Sequence, residues 1–136
     1  MIFETKIAIV ILEDLQVWQK LNVTAFLSSG IATSVVGLIG EPYRDASELE
    51  YHGLLIQPIL IFMANKDELK RAYHRALERE IKLGVYINEM FSTGDDIANR
   101  AAVRAVSSQD LNLVGISMRA PRGLVDKALK GLKLHP

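Results

Sequence analysis

Eight residues near the start of the chain, Thr5–Leu12 (TKIAIVIL), restrict the fold more than any other segment. A run this short, β-branched and apolar on both faces reads as a strand buried on both sides, which requires other elements packed above and below it. It turns through Glu13-Asp14 into a helical pattern spanning about Gln16 to Leu38. On that helix Trp18, Leu21, Ala25, Ser28, Ala32 and Val35 share one side, while Val23, Phe26, Leu27, Ile31 and Ser34 share the other. A helix apolar nearly all round is expected to be buried nearly all round. Lys20, Asn22 and Thr24 stand at its front. Polar groups gathered where a core strand meets a buried helix are a usual setting for a cleft in an α/β protein.

The rest of the chain alternates between the two periodicities. Residues 41–53 are a polar loop, long enough to be a candidate rim for a site. Ile56–Met63 reads as a second buried strand, with Pro58 near its beginning. Asn65 caps a helix over Lys66 to about Lys82, and Gly84 marks its exit. Val85–Asn88 is a short third strand. A helix over Asp95–Val106 follows Ser92-Thr93-Gly94, then a fourth strand at Leu111–Met118. A last helix runs from Pro121-Arg122-Gly123 to about Lys130, and Leu132–Leu134 could add a terminal strand fragment. The order β-α-β-α-β-α-β-α predicts an α/β protein: a three-layer α/β/α sandwich with a small mixed, mostly parallel four-stranded sheet. A length of 136 residues fits a single domain over 1–136 with a core that needs no staples.

Composition removes several function classes. The longest apolar runs are of strand length, too short to span a bilayer, and the first is followed by acids rather than a cleavage site, so neither a membrane span nor a signal peptide is expected. With zero cysteines there is no thiol chemistry or thiolate metal site, and cytoplasm is the default location. The net charge of zero conceals an asymmetry. Residues 1–64 hold three Lys/Arg against seven Asp/Glu, and the remainder thirteen against nine. A pI near 6.8 argues against strong nucleic-acid binding. The three histidines, His52, His74 and His135, have no partner at helical spacing, which argues against a metal site. No phosphate-cradling or nucleophile-elbow motif is present, so no cofactor is expected.

The candidate site residues fall in two groups. Lys20 could stabilise an oxyanion or bind a carboxylate, with Asn22 and Thr24 positioning substrate. The alternative is a solvated lysine, an Asn bonded to the preceding loop and a Thr bonded back into its own helix. In the segment Asn88–Gly94, Glu89 could act as general base and Thr93 as a substrate hydrogen-bonding group. Capping of the following helix by Ser92 or Thr93 is the competing role, since each has an acid three residues on. Tyr43, Asp45, Tyr51 and His52 would form the rim loop, either as a lid or simply solvated. Arg71, Arg75 and Arg79 describe a basic outer helix face, with Asp67–Arg71 and Glu78–Lys82 at pairing distance.

With these residues in view, the chain resembles a bacterial family of uncharacterised proteins whose fold is that of the type II peptidyl-tRNA hydrolases. The resemblance spans nearly the whole chain. It rests on Trp18–Leu27 (WQKLNVTAFL), Gln57-Pro58, Met90–Gly94 (MFSTG) and the tail Leu132–Pro136 (LKLHP). Likeness to the hydrolases themselves is one of layout. They have an Asp-Leu turn after the first strand, as at Asp14-Leu15, and a Gly-x-Leu-Lys-Leu end where this chain has Gly131-Leu132-Lys133-Leu134. Their Asp-x-Gly-x-Thr after the third strand corresponds to Glu89–Thr93, where acid and threonine remain and the glycine is lost. Their glycine-lysine-rich segment is reduced to Lys20, and their helix glutamine and histidine fall on Thr24 or Ala25 and on Leu27 or Ser28. The resemblance implies a hydrolase-like enzyme or small-molecule binder on this scaffold, with Lys20 and Glu89 catalytic and Asn22, Thr24, Thr93 and Asp14 binding substrate. Loss of the cationic anchors argues against peptidyl-tRNA as substrate. The alternative expectation is a non-catalytic homodimeric interaction module.

Overall fold

The structure is a computed structural model, and it describes residues 3–136. In chain order the elements are β1 (Thr5–Leu12), α1 (Val17–Ala32), β2 (Tyr43–Arg44), β3 (Glu50–Tyr51), β4 (Ile59–Ala64), α2 (Lys66–Glu78), β5 (Leu83–Ile87), a 3₁₀ turn (Asn88–Ser92), α3 (Asp96–Arg104), β6 (Leu113–Pro121), α4 (Arg122–Ala128) and β7 (Lys133–Leu134).

Five strands form the main sheet, in the order β5-β6-β1-β4-β7, where four mostly parallel strands were expected. β1 and β4 pair in parallel; β1–β6, β5–β6 and β4–β7 are antiparallel. The sheet is therefore mixed and mostly antiparallel. The physical reason lies in how the connections run. From β5 the chain stays at one end of the sheet through the 3₁₀ turn and the nine-residue α3, then re-enters as β6 in the opposite direction. β1, β4 and β5 point the same way, but β6 lies between β1 and β5 and leaves only one parallel neighbour pair. Alternation of strand and helix patterns does not reveal such a return. The fifth strand is the two-residue tail fragment, which pairs through Phe62–Leu134 and Met63–Lys133.

β1 is the central strand, buried from Ile7 to Leu12. Its register places Ile7, Ile9 and Ile11 opposite Arg119, Ser117 and Gly115 of β6. A side chain at Gly115 would meet Val23 and Leu27 of α1, so this is the sheet face that α1 covers. Val10, Ala8 and the intervening residues of β6 face the other way, toward α2 and α4, which also pack on each other.

α1 departs from expectation. It is shorter than the sequence pattern, ending at Ala32, and is not buried all round. Val23, Leu27 and Ile31 are buried, whereas Val17, Trp18, Leu21 and Phe26 are each more than half exposed. A single helix covers this face, so nothing lies over its outer side. α2 behaves as an ordinary amphipathic helix, with Leu69, Ala72, Tyr73 and Ala76 inward. Asn65 caps it as expected, accepting from the Glu68 amide at 2.8 Å. The Tyr73 hydroxyl donates to the Ser108 carbonyl at 2.9 Å, and burial pushes its phenol above the usual range. Neither expected pair on this helix, Asp67–Arg71 or Glu78–Lys82, is among the ion pairs of the described residues. Instead Arg75 donates to the Lys130 carbonyl and Arg79 to that of Arg75.

Two predictions test this packing. Gly115→Ala would bring a Cβ to 2.6 Å from Val23 Cγ1 and 3.1 Å from Leu27 Cδ1. It should destabilise the protein by about 1–3 kcal/mol in urea unfolding through overpacking. Tyr73 has a folded-state pKa above its unfolded value, so its contribution is complete below an ordinary phenol pKa of 10.0 and is lost as pH rises through the folded value. Tyr73→Phe should accordingly flatten the alkaline fall of the melting temperature.

Candidate functional site

β1, β4 and β5 all end at the same edge of the sheet, and the first turn of α1 and the 3₁₀ turn sit there together. Between α1, β5, the 3₁₀ turn and α3 lies a cleft of about 340 Å³. It continues along β5 into a second compartment of about 470 Å³. The two share Phe26, Tyr86, Met90, Asp96 and Asn99.

An aromatic series forms the cleft wall. Trp18 meets Phe91 edge-on at 5.8 Å between ring centroids, Phe91 lies 5.2 Å from Tyr86, and Tyr86 meets Phe26 edge-on at 6.0 Å. Local bonds fix these rings. Gln19 Oε1 accepts from the Gln16 amide at the start of α1, and Trp18 Nε1–H donates to Gln16 Oε1 at 2.8 Å. The side-chain amide of Asn22 donates to the Tyr86 hydroxyl at 3.2 Å. Burial holds the Tyr86 phenol above its usual range, a shift the Asn22 bond partly opposes; accepting from Asn22 leaves the hydroxyl its own hydrogen to donate.

Across the cleft, Thr93 Oγ1 bonds both the Met90 carbonyl, at 3.0 Å, and the Asn99 side chain. A hydroxyl donates one hydrogen bond at a time, so its proton serves either the Met90 carbonyl or the Asn99 side-chain oxygen, and the Asn99 contact ties the end of the 3₁₀ turn to α3. The cap is Asp95, whose carboxylate accepts from the Ala98 amide at 2.7 Å. The capping role expected of Ser92 or Thr93 is thus filled by Asp95, two or three residues later. Arg100 pairs with Asp96 at 2.7 Å, which raises the guanidinium's already high pKa, and with Arg104 it borders the second compartment.

The sequence-derived candidates divide between positions. Asn22 and Thr93 line the cleft together, but neither Lys20 nor Glu89 is among its lining residues. Lys20 lies on the other flank of α1, with Nζ 3.0 Å from His135 Nε2. An ammonium only donates, so Nε2 accepts; Nδ1 then carries the ring proton and donates to the Pro136 carbonyl at 3.0 Å. Thr24 donates to the Lys20 carbonyl at 2.8 Å, the back-bond to its own helix. Glu89 is exposed on the 3₁₀ turn, and Asp14 is exposed in the turn after β1.

The polar loop contains a small hairpin of β2 and β3. Tyr51 donates to Asp45 at 2.9 Å, and this bond lowers the Asp45 pKa. None of Tyr43, Asp45, Tyr51 and His52 lines the cleft. Sequence reasoning missed Trp18, Phe26, Tyr86, Asn99 and His135 as site residues. The first two carry helical spacing that reads as core. For His135 the available signal was the tail LKLHP, which comes back onto β4 with the His135 amide donating to Ile61 at 2.8 Å.

No group of three or more His, Cys, Asp or Glu suited to a metal ion occurs among the described residues, and no described helix is long and apolar enough to cross a membrane. No curated protein matches the chain. It is similar to a solved structure of a protein of unknown function from Agrobacterium tumefaciens str. C58, at 48% sequence identity and a TM-score of 0.95, covering 99% of this chain and 100% of the other. A family model described as a protein of unknown function (DUF2000) matches residues 5–136, so the chain, from the central strand to its last residue, belongs to that family.

Proposed function

We propose that the cleft between α1 and α3 binds a small molecule with a flat apolar body and polar ends, on a one-domain, three-layer α/β/α scaffold like that of the type II peptidyl-tRNA hydrolases. The observation that carries this reading is the aromatic wall of Trp18, Phe91, Tyr86 and Phe26, with the Tyr86 hydroxyl bonded to Asn22. Stacking and apolar contact supply the affinity for a planar ligand, while a few polar groups fix its orientation. Asn22 orients the Tyr86 hydroxyl, and Thr93 orients Asn99. Arg100 and Arg104 at the far compartment suit a negatively charged end.

A hydrolase-like activity would draw on groups at the same edge of the sheet. Lys20, held by His135, is the anchoring or electrophilic group; Glu89 is the base; Thr24 steadies the Lys20 turn, and Asp14 contacts substrate from the β1 turn. A cytoplasmic bacterial setting accords with this reading. Peptidyl-tRNA is a poor substrate for it, because Lys20 stands without neighbouring cations on α1.

A second reading rests on a separate observation: α1 has no charged residue after Lys20, and its exposed Val17 and Leu21 face solvent. An apolar outer face of this kind fits a homodimer built helix on helix.

The test of the first reading uses Trp18, the one tryptophan of the chain. Small molecules that raise the melting temperature should also change Trp18 emission, and Asn22→Leu should weaken them about tenfold. Stabilising ligands that leave the emission and the Asn22→Leu affinity unchanged would place binding elsewhere. N-blocked aminoacyl-tRNA should not be turned over; turnover abolished by both Lys20→Ala and Glu89→Ala would instead establish a hydrolase. For the dimer, light scattering should give twice the chain mass, reduced to the monomer by Leu21→Glu.

A further inference from the structure

A second cavity, of about 450 Å³, lies at the opposite end of α1, beneath the helix's last turn. Its floor is the face of β6 that meets α1, where Ser117 and Arg119 follow one another at the two-residue period of a strand. Ser117 is 0% exposed. Among the described residues its Oγ has no hydrogen-bond partner, and the same holds for the buried Nε of Arg119. Buried polar atoms are nearly always paired, so two unpaired ones at one wall of one cavity call for an occupant.

The space and the charge both suit one. A Cβ at Gly84 would lie 2.4 Å from Ser117 Oγ, so only glycine there leaves room for the hydroxyl, and a Cβ at Gly30 meets nothing within 4 Å. Lys82 joins Arg119 in the lining, and no acidic side chain does. Neither cation takes part in an ion pair among the described residues. The two hydroxyls that follow α1 direct their protons back into the helix: Ser34 donates to the Ile31 carbonyl at 2.7 Å, and Thr33 to that of Ser29 at 3.4 Å. The lining thus offers a guanidinium, an ammonium and a hydroxyl, with no carboxylate among the described residues paired to either cation.

We propose that this cavity is a binding site for the oxyanion of a small molecule, a carboxylate or a phosphate, held by Arg119 and Ser117 with Lys82 beside it. A guanidinium presents paired N–H groups that match two oxygens of either anion. The Ser117 hydroxyl donates to the same group, and the apolar wall of Ile31 and Val35 accommodates whatever body the anion carries. The site is separate from the cleft at the carboxyl edge of the sheet, so each stands or falls without the other.

The experiment is a titration of the full chain with inorganic phosphate and, separately, with 3-methylbutanoate. It is run at low ionic strength against sodium chloride of equal ionic strength, following melting temperature and heat of binding. At least one of the two anions should bind saturably and raise the melting temperature beyond the chloride control. Phosphate alone would identify a phosphate site and 3-methylbutanoate alone a carboxylate site. Arg119→Met should abolish binding. Ser117→Ala should weaken it about tenfold while leaving the melting temperature of the free protein unchanged or higher, because it removes an unpaired buried hydroxyl. No saturable response to either anion, a response equalled by chloride, or binding undiminished in Ser117→Ala would overturn the proposal.

Discussion

The dry interior of β1 is the constraint on which the rest of the structure depends. Ile7, Ile9 and Ile11 project to one side and Ala8, Val10 and Leu12 to the other, and all six are almost wholly buried. A strand with no wet face must have paired neighbours on both edges and a covering layer on each side. β6 and β4 supply the edges, α1 one cover, and α2 with α4 the other. The isoleucines on the α1 side leave little room over β6, where Gly115 admits Val23 and Leu27. The helix axis is thereby held close to the sheet, and its two ends become the places where cavities open.

At its first turn, α1 diverges from β5 and the 3₁₀ turn, and aromatic rings rather than aliphatic packing fill the wedge. At its last turn, small residues leave the helix standing off β6, and Ser117 and Arg119 are left facing the gap. The two regions differ in chemistry. The first is an aromatic wall with neutral hydrogen-bonding groups along it; the second offers a guanidinium, an ammonium and a hydroxyl. The outer side of α1 is apolar yet uncovered, a combination that a lone chain in water does not require for its own folding.

Much of the fold was legible in the sequence. Apolar runs of strand length marked β1 and β4, the 3.6-residue period marked α2, and Asn65 marked its beginning. Strand direction was not legible, because a helix between two strands is compatible with either a crossover or a return to the same end of the sheet. The chain between β5 and β6 takes the return, and this alone converts a mostly parallel sheet into a mostly antiparallel one. The span of α1 was overread because Ser, Gly and Val beyond Ala32 continue its apolar pattern after its hydrogen bonding stops. Pro58 delays β4 to Ile59 by withholding a donor from the ladder.

Of the site, the sequence by itself determined that polar groups collect after β1 and after β5, and it singled out Asn22 and Thr93, which meet at one cleft. These positions follow from local order, since the ends of strands and the fronts of helices are neighbours along the chain. Only the tertiary structure decided which of those groups share a cavity. Lys20 and Asn22 are two residues apart, but a helix turns about 200° between them, so one faces His135 on the β7 flank and the other Tyr86 on the β5 flank. The pairing of Lys20 with His135 spans 115 residues, and that of Asn22 with Tyr86 spans 64. Contacts at such separations arise from the order in which strands join the sheet, and no local periodicity encodes that order.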